Sequence, residues 1–553
     1  MGFSLPRGAG AAYLLGLLAL PACSDDGGYD PRASLPSGGT TGQDASGAGA
    51  GAGGLAGEAG SLGSGGDAGS GSGGAAGSAG DAGVFDSDLP GCGDTVCSTG
   101  ESCSSCAQDC GVCPPGCGDG ACNGSEACSS CPGDCGACPP SCGDGACNGD
   151  ETCSSCAGDC GACLPTCGNG ACEAGESCAS CVADCVVTTC PSPTGVAVGG
   201  GLTPIDTCAF PMTDADTWAA KDAIITKLAA ALPKRSVSYV LGDANRKGAA
   251  VSSVPGLSSV HRGMRWDSGD MNVSYWIPQG ISGSGDSAAA PIGGKSVVLA
   301  SWYYDGASPD KGVRLAFVDV ATKKYRFALL VDPYMNGTRA DFKAVVSHAG
   351  GIAWYGNYLY VAQTSQGFRV FDMSRILQVA TDADTIGYSS SAGAYRAHKY
   401  KYVIPQIGTY QHVSACSPIF SFTALDRATS PPSLVSGEYV SGKPTGRLYR
   451  WGLDPATGRL AGGKKLVPKE AFYSGQSSIQ GAVPAYGRWL LSSSAPANGK
   501  GALYRVAVGS SSTHAWTNSP EDLSIDVSTG ELWSLSEAKG ARYVFSQLVT
   551  KYK

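Results

Sequence analysis

Five polar residues stand at or just before the start of short apolar segments in the second half of the chain. They are Gln279, His348, Gln480, Glu521 and Asp522. Their carboxylate and amide oxygens are ligands that a hard cation such as calcium prefers. Glu521 and His348 are also the residue types that exchange protons in hydrolysis when their pKa values lie near neutrality. The alternative for each residue is a hydrogen bond that satisfies the end of a strand.

Acidic residues also recur within a Cys-rich region that runs from Cys92 to Cys190. Six cysteines repeat four times at 25-residue intervals, with the last cysteine of the fourth copy displaced by two residues. The region contains 13 Asp and Glu residues but no Lys or Arg. Oxygen ligands near tight glycine turns favour calcium. The candidate ligands are Asp119, Glu126, Asp134, Asp144, Glu151 and Asp159. The alternative is a set of solvated carboxylates on a disulfide-bonded rod.

Covalent staples must hold these repeats together, because units of 25 residues with few large apolar side chains cannot be stabilised by burial alone. In an exported protein the expected staples are three disulfides in each repeat, and zinc binding by the closely spaced cysteine pairs is the alternative. Six cysteines allow fifteen pairings, so the connectivity stays open. Two further cysteines, Cys208 and Cys416, are predicted to form a disulfide with each other.

The N-terminus indicates export. Residues 1–22 have one early Arg and an apolar run that is too short to span a bilayer permanently. The segment Leu20–Cys23 resembles a bacterial lipobox, which implies lipidation of Cys23 and anchoring in the outer membrane or at the cell surface. An ordinary signal peptide cleaved after Ala22 is the alternative.

The rest of the chain divides by composition. Residues 23–91 are predicted to be a flexible tether, because Gly and Ala make up 27 of the 40 residues from Thr41 to Gly80. Residues 191–235 form a connector with a helix predicted over Thr213–Leu232. Residues 236–553 are rich in Val, Tyr, Trp and glycine turns, which is typical of β-strands. The fold class is therefore predicted to be mainly β.

A repeated strand pattern in this last region predicts a β-propeller. Each copy opens with a glycine and closes with an apolar strand. The copies lie at Lys311–Val320, Gln366–Met373, Thr445–Leu453, Lys500–Val508 and Lys539–Leu548. Such spacing favours five or six four-stranded blades, with residues 236–276 deciding the number. A β-sandwich is the alternative. The innermost strands of a propeller line a central channel, so the five polar residues named first are the candidate binding residues.

Two sequence patterns resemble known groups. The spacing C-G-D-G-x-C-x-x-x-E-x-C-x-x-C-x-x-D-C-G-x-C is similar to Cys-rich repeats of bacterial surface proteins, and implies a spacer. The segments HAGGIAWYGNYLYVA and PEDLSIDVSTGELWSLSE resemble secreted bacterial propellers and, distantly, the six-bladed lactonase and strictosidine-synthase-like group. The second resemblance implies a calcium site of carboxylate and amide oxygens in the channel, here Glu521, Asp522 and a glutamine. The full acidic set of that group is not evident in this chain.

The charge balance and the absence of common catalytic motifs limit the classes of function that the sequence supports. The chain has no G-x-S-x-G or H-E-x-x-H motif, and Gly293–Ser296 imitates the end of a phosphate loop without its first glycine. From Pro191 onward 36 Lys and Arg face 25 Asp and Glu. This basic balance favours an anionic polysaccharide or an envelope protein as partner, and no nucleic acid is expected. The leading hypothesis is a surface-anchored propeller that binds such a partner. The alternative is a calcium-dependent hydrolase of an ester, lactone or glycan.

Overall fold

The computed structural model describes residues 92–553 apart from short gaps. The gaps are residues 104, 113–115, 119–121, 129, 138–141, 144, 146, 148, 162–166, 216, 289–290 and 495–499. The signal peptide, Cys23, the tether, Asp119 and Asp144 therefore lie outside the described residues. Contacts divide the described chain into two units, with the first three Cys-rich repeats in one unit and Cys167–Lys553 in the other.

The first three repeats share one disulfide pattern around a one-turn helix. The helices are α1 (Ala107–Cys110), α2 (Pro132–Cys135) and α3 (Ala157–Cys160). In each repeat the first cysteine pairs with the fourth and the second with the fifth. These bridges are Cys92–Cys106, Cys97–Cys110, Cys117–Cys131, Cys122–Cys135, Cys142–Cys156 and Cys147–Cys160. The prediction of disulfide-stapled repeats is confirmed.

The fourth repeat is bonded covalently to the C-terminal domain. It keeps the first two bridges, Cys167–Cys181 and Cys172–Cys185. Its other two cysteines pair outside the repeat, in Cys178–Cys208 and Cys190–Cys416. The predicted Cys208–Cys416 bridge is therefore wrong, and so is the prediction of three disulfides within the fourth repeat. Cys208 and Cys416 are both bonded, but each bonds to the fourth repeat, which lies against them.

Disulfide mapping tests this arrangement. Digestion of the full chain without reductant is expected to release a peptide pair joined through Cys178 and Cys208, and another joined through Cys190 and Cys416. The physical reason is proximity, because the Val187 N–H donates to the Cys208 carbonyl at 3.2 Å and brings the repeat against this segment. Mass spectrometry identifies the pairs. Recovery of a peptide that joins Cys208 to Cys416 would contradict the structure.

The C-terminal domain consists of five antiparallel sheets with four strands in sequence from the inside outward. Blade 1 comprises Trp276–Gly283, Val297–Tyr304, Val313–Asp319 and Lys324–Asn336. Blade 2 comprises Ile352–Tyr355, Tyr358–Gln363, Gly367–Asp372 and Tyr402–His412. Blade 3 comprises Phe422–Asp426, Ser433–Gly437, Arg447–Gly452 and Glu470–Tyr473. Blade 4 comprises Ile479–Ala485, Arg488–Ser493, Lys500–Ala507 and Ser510–Asn518. Blade 5 comprises Pro520–Asp526, Glu531–Ser536, Tyr543–Leu548 and, from upstream in the chain, Arg262–Arg265.

The innermost strands of the five blades contact one another in a closed ring. The domain is a five-bladed β-propeller. Each copy of the predicted strand pattern contains the third strand of one blade. Residues 236–276 do not form a sixth blade, because Arg262–Arg265 pairs with Tyr543–Leu548 and completes blade 5. This pairing joins the beginning of the propeller to its end.

Shorter elements cover the outside of the blades. The outer strands of blades 1 and 2 pair in parallel, with Leu329 opposite Val403. The edge of blade 1 continues into Arg339–Ala344, and a separate hairpin joins Ile386–Ser389 to Ala394–Ala397. Other short strands are Thr203–Pro204, Met212–Asp214, Lys234–Arg235, Arg246–Lys247, Ala249–Ala250, Ile376–Gln378 and Lys465–Leu466.

Four helices and two 3-10 turns complete the domain. The helices are α4 (Trp218–Ala231), α5 (Val237–Gly242), α6 (Ser268–Asn272) and α7 (Ser284–Ala288), and the turns are Thr207–Ala209 and Val549–Tyr552. Helix α4 begins later than predicted, because Met212–Asp214 pairs as a strand with blade 2. Helix α7 contacts the inner strands of blades 1, 2 and 5 and so lies across one end of the channel.

Candidate functional site

Four of the five predicted residues lie together at the channel end opposite α7. Gln480 Nε2 donates to Glu521 Oε1 at 3.0 Å, and Gln279 Nε2 donates to Glu537 Oε2 at 2.9 Å. His348 stacks on Tyr303 with 4.3 Å between ring centroids. We call this group the channel mouth, defined by Gln279, Tyr303, His348, Gln480, Glu521 and Glu537. Blades 1, 4 and 5 and the segment leading into blade 2 all contribute to it.

Glu521 is the most buried acid of the channel mouth, with 1% of its surface exposed. Burial raises its pKa well above the usual glutamate value, and the neighbouring Glu537 and Asp522 raise it further. The hydrogen bond from Gln480 lowers the pKa and only partly opposes these effects. Glu521 is therefore held toward its protonated form, in which it can donate a hydrogen bond or a proton.

Glu537 is a half-buried acid of the channel mouth that the sequence analysis missed. Burial raises its pKa, while the hydrogen bond from Gln279 and the charge of Arg542 lower it. The register of the blade 5 hairpin would have found this residue, because Pro520 pairs with Ser536 and Glu537 therefore lies opposite Ser519, two residues from Glu521. Two carboxyl groups of different burial thus lie at the same end of two paired strands.

His348 and Tyr303 form an aromatic wall beside these acids. His348 is exposed to solvent, yet the surrounding protein atoms displace water from its ring and lower its pKa, an effect that Asp305 partly opposes. Burial and the nearby charges of Glu537 and Asp305 raise the Tyr303 pKa. Both rings are therefore uncharged near neutral pH.

The backbone is strained where the chain enters three of these positions. Ala349, Ser478 and Ser519 have φ values of 51°, 54° and 44°, in the left-handed region that non-glycine residues rarely adopt. Each lies within two residues of a channel-mouth side chain. Such strain persists only where the surrounding structure enforces it, and it clusters at functional sites.

Asp522 does not join the channel mouth. Its Oδ2 accepts hydrogen bonds from the Ile281 and Ile352 amides at 3.1 and 3.2 Å, so it ties blade 5 to blades 1 and 2 inside the ring. Asp522 is fully buried, and burial raises its pKa well above the usual value. Its other oxygen, Oδ1, is buried without a hydrogen-bond partner. Calcium binding by Glu521, Asp522 and a glutamine stays a prediction.

The acidic residues of the Cys-rich repeats bind backbone amides. Asp184 Oδ2 accepts from Gly168 at 2.6 Å and Asn169 at 3.2 Å, and its Oδ1 accepts from Gly170 at 3.0 Å. Asp134 and Asp159 accept from Gly118 and Gly143 in the same way. These carboxylates close the glycine turn at the start of each repeat, which gives them a structural role.

The glutamate that recurs two residues before the third cysteine of each repeat has a similar role. Glu126 Oε2 accepts from the Asn123 amide at 3.1 Å. Glu151 occupies the equivalent position of the third repeat and is half-buried. Calcium binding by the repeats stays a prediction, but the recurrence of these acids is explained without it.

The comparisons with known proteins give fold neighbours and no family. No protein-family model matches the chain, and no curated protein matches it in sequence. Among solved structures, the β-propeller domain of Cps50 (Swd1) from Myceliophteria thermophila is 9% identical, with 50% of this chain and 97% of that chain covered and a TM-score of 0.24. The RS223 β-xylosidase is 10% identical over 49% of this chain and 92% of that chain, with a TM-score of 0.23.

Export is supported by the many disulfides, which form in oxidising compartments. Among the described residues, no helix has the length and apolar character needed to cross a membrane.

Proposed function

We propose that the protein is an exported, lipid-anchored surface protein whose propeller binds a glycan at the channel mouth. The convergence of amide, carboxyl, imidazole and phenol groups from several blades carries this proposal. The amides of Gln279 and Gln480 and the acids they contact are suited to hydrogen bonds with hydroxyl groups. The paired rings of Tyr303 and His348 offer a face for the apolar side of a sugar ring.

We propose that the ligand is anionic because of the net positive charge of the C-terminal domain. The domain carries an excess of basic residues, whereas the channel mouth itself is acidic. We therefore place the hydroxyl groups of the ligand at the mouth and propose that its acidic groups contact basic residues elsewhere on the surface of the domain. Cys23 would carry the lipid, and the Cys-rich repeats would separate the propeller from the membrane.

Binding of polygalacturonate, with neutral dextran as the comparison, tests this proposal. Gln480→Ala is expected to weaken binding about tenfold, because it leaves Glu521 without its buried hydrogen-bond partner and removes a ligand contact. Calorimetry with the full chain measures the dissociation constant. Gln411→Ala is the matched control, since Gln411 is exposed on the outer strand of blade 2.

Two results would contradict the proposal. One is equal affinity of the Gln480→Ala variant and the wild-type protein. The other is polygalacturonate binding that does not weaken as salt rises, because contacts between exposed charges are screened by ions.

Hydrolysis is the second candidate, favoured by the two carboxyl groups of unequal burial. Glu521, with its raised pKa, would donate a proton to the leaving group, and Glu537 would act as base or nucleophile. Glu521→Gln is then expected to lower turnover of a glycan, ester or lactone substrate at least about a hundredfold while binding persists. Activity retained by that variant would exclude this chemistry. Calcium dependence of such an activity is part of this second proposal.

A further inference from the structure

Helix α7 closes the channel at the end opposite the mouth. The Gly356 amide donates to the Ser287 carbonyl at 3.0 Å and fixes the helix against blade 2. A Cβ atom at Gly285 would lie 2.4 Å from the Asp526 carboxyl carbon, so glycine is needed for the helix to approach blade 5 this closely. The helix thereby brings Asp286 into the interior of the ring.

The Asp286 carboxylate is buried, with 1% of the residue exposed, and only one of its oxygens is satisfied. Oδ2 accepts from the Ser282 hydroxyl at 2.6 Å and from the Ser524 hydroxyl at 2.7 Å. Oδ1 is buried without a hydrogen-bond partner. A buried carboxylate oxygen without a partner is costly, and native structures generally supply it with a proton, water or cation.

A small cavity of about 10 Å³ lies beside this carboxylate. Its oxygen-bearing lining residues are Ser282, Asp286, Ser524 and Asp526, and the remaining lining comes from Gly283, Gly285, Val297, Val298, and Trp533. This volume is about that of one water-sized probe. A single small ion therefore fits, and a larger organic group does not.

The charges around the cavity favour a cation. Asp526 adds a second acid to the lining. Arg427 is the neighbouring cationic side chain, but its Nη2 donates to the backbone carbonyl of Asp286 and leaves the Oδ1 atom unbound. The charge of Arg427 favours the ionised Asp286 carboxylate, but water would add no further positive charge beside the two acids.

We propose that this cavity binds one hard cation of the calcium type, with Asp286 Oδ1 as its charged ligand. Carboxylate and hydroxyl oxygens are the donors that calcium prefers. Bound there, the ion would fasten α7 to blades 1 and 5 and stabilise the closed end of the channel. The proposal is independent of the ligand bound at the channel mouth.

Thermal unfolding of the full chain with Ca²⁺ or with a chelator tests the site. Ca²⁺ is expected to raise the wild-type unfolding midpoint by about 5 °C, because it binds the folded state alone. Asp286→Asn, which keeps the size of the side chain, is expected to abolish this rise. Glu521→Gln is the matched control and is expected to retain it. No rise in the wild-type protein, or equal rises in the wild-type protein and the Asp286→Asn variant, would overturn the proposal.

Terbium luminescence locates the ion directly. Tb³⁺ takes the oxygen sites that calcium occupies, and it emits when a nearby tryptophan transfers excitation energy to it. Because Trp533 lines the cavity, Trp533→Phe is expected to remove most of the sensitised emission, and excess Ca²⁺ is expected to quench it in the wild-type protein. Emission that survives in both Trp533→Phe and Asp286→Asn would place the ion elsewhere in the protein and overturn the proposal.

Discussion

Asp270→Ala is expected to lower the free energy of unfolding by about 4 kcal/mol, because it leaves buried cationic groups without their partner. Asp270 Oδ1 accepts from Arg314 Nη2 at 3.0 Å, and Oδ2 accepts from the Tyr325 hydroxyl at 2.6 Å and from Arg246 Nη1 at 2.9 Å. Arg314 is 3% exposed and its guanidinium lies 3.7 Å from the centroid of Phe327. Removing the Asp270 carboxylate leaves the positive charge of Arg314 buried among aromatic rings without this ion-pair partner.

Asp270 also contacts a residue next to blade 5, so its loss affects the closure of the ring as well as blade 1. Its carbonyl also accepts from Arg542 Nη1 at 2.9 Å, and Arg542 belongs to the segment that leads into the third strand of blade 5. The residue therefore joins blade 1 to the blade that closes the ring.

Chemical denaturation of the wild-type protein and the Asp270→Ala variant measures the change in the free energy of unfolding. Asp384→Ala is the control, since the exposed Asp384–Lys311 pair is worth less than about 1 kcal/mol. Equal losses in the two variants would contradict the argument.

The propeller could be predicted from the sequence because its blades repeat locally. A glycine turn followed by an apolar strand is visible within about ten residues, and each copy became the third strand of a blade. The closing strand, Arg262–Arg265, could not be recognised in this way. It pairs with Tyr543–Leu548 across most of the domain, and only the completed ring reveals that pairing.

The disulfide error has a similar cause. Five of the six cysteines keep the same spacing in all four Cys-rich units, so the spacing predicts three bridges within each unit; only the last cysteine of the fourth unit, Cys190, is displaced, by two residues. The fourth unit differs because it lies against the propeller, where Cys208 and Cys416 are available as partners for Cys178 and Cys190. The displaced Cys190 marks the fourth unit as different, but the spacing does not identify Cys416 as its partner.

The candidate site was predicted in part. Polar residues just before inner strands must lie at one end of the channel, and the structure places Gln279, His348, Gln480 and Glu521 at the same end. Their role in binding stays a prediction. Glu537 was missed because it follows a second strand instead of preceding a first one. Asp522 was grouped with Glu521 by adjacency, although the bulge between Pro520 and Leu523 directs it to amides inside the ring.

His412→Leu is expected to remove a large part of the acid sensitivity of the fold. Both ring nitrogens of His412 are buried without hydrogen-bond partners, and the ring contacts Phe420 with 4.4 Å between centroids. Burial alone lowers the pKa of His412 to about 3, against 6.5 in the unfolded chain. The folded state therefore holds the neutral ring, while the unfolded state takes up a proton below about pH 6.5.

The sign of the effect follows from proton binding. Because the unfolded state binds more protons between pH 6.5 and 3, the stability that neutral His412 contributes is complete above pH 6.5 and is lost as pH falls through that range. Between pH 7 and pH 4 the wild-type protein should lose about 3 kcal/mol of unfolding free energy relative to His412→Leu. Denaturation at both pH values measures this difference, and taking the difference between two variants cancels the carboxyl groups that titrate in both. A pH-independent difference would show that the His412 ring is solvated in the folded state, since only its desolvation separates the two pKa values.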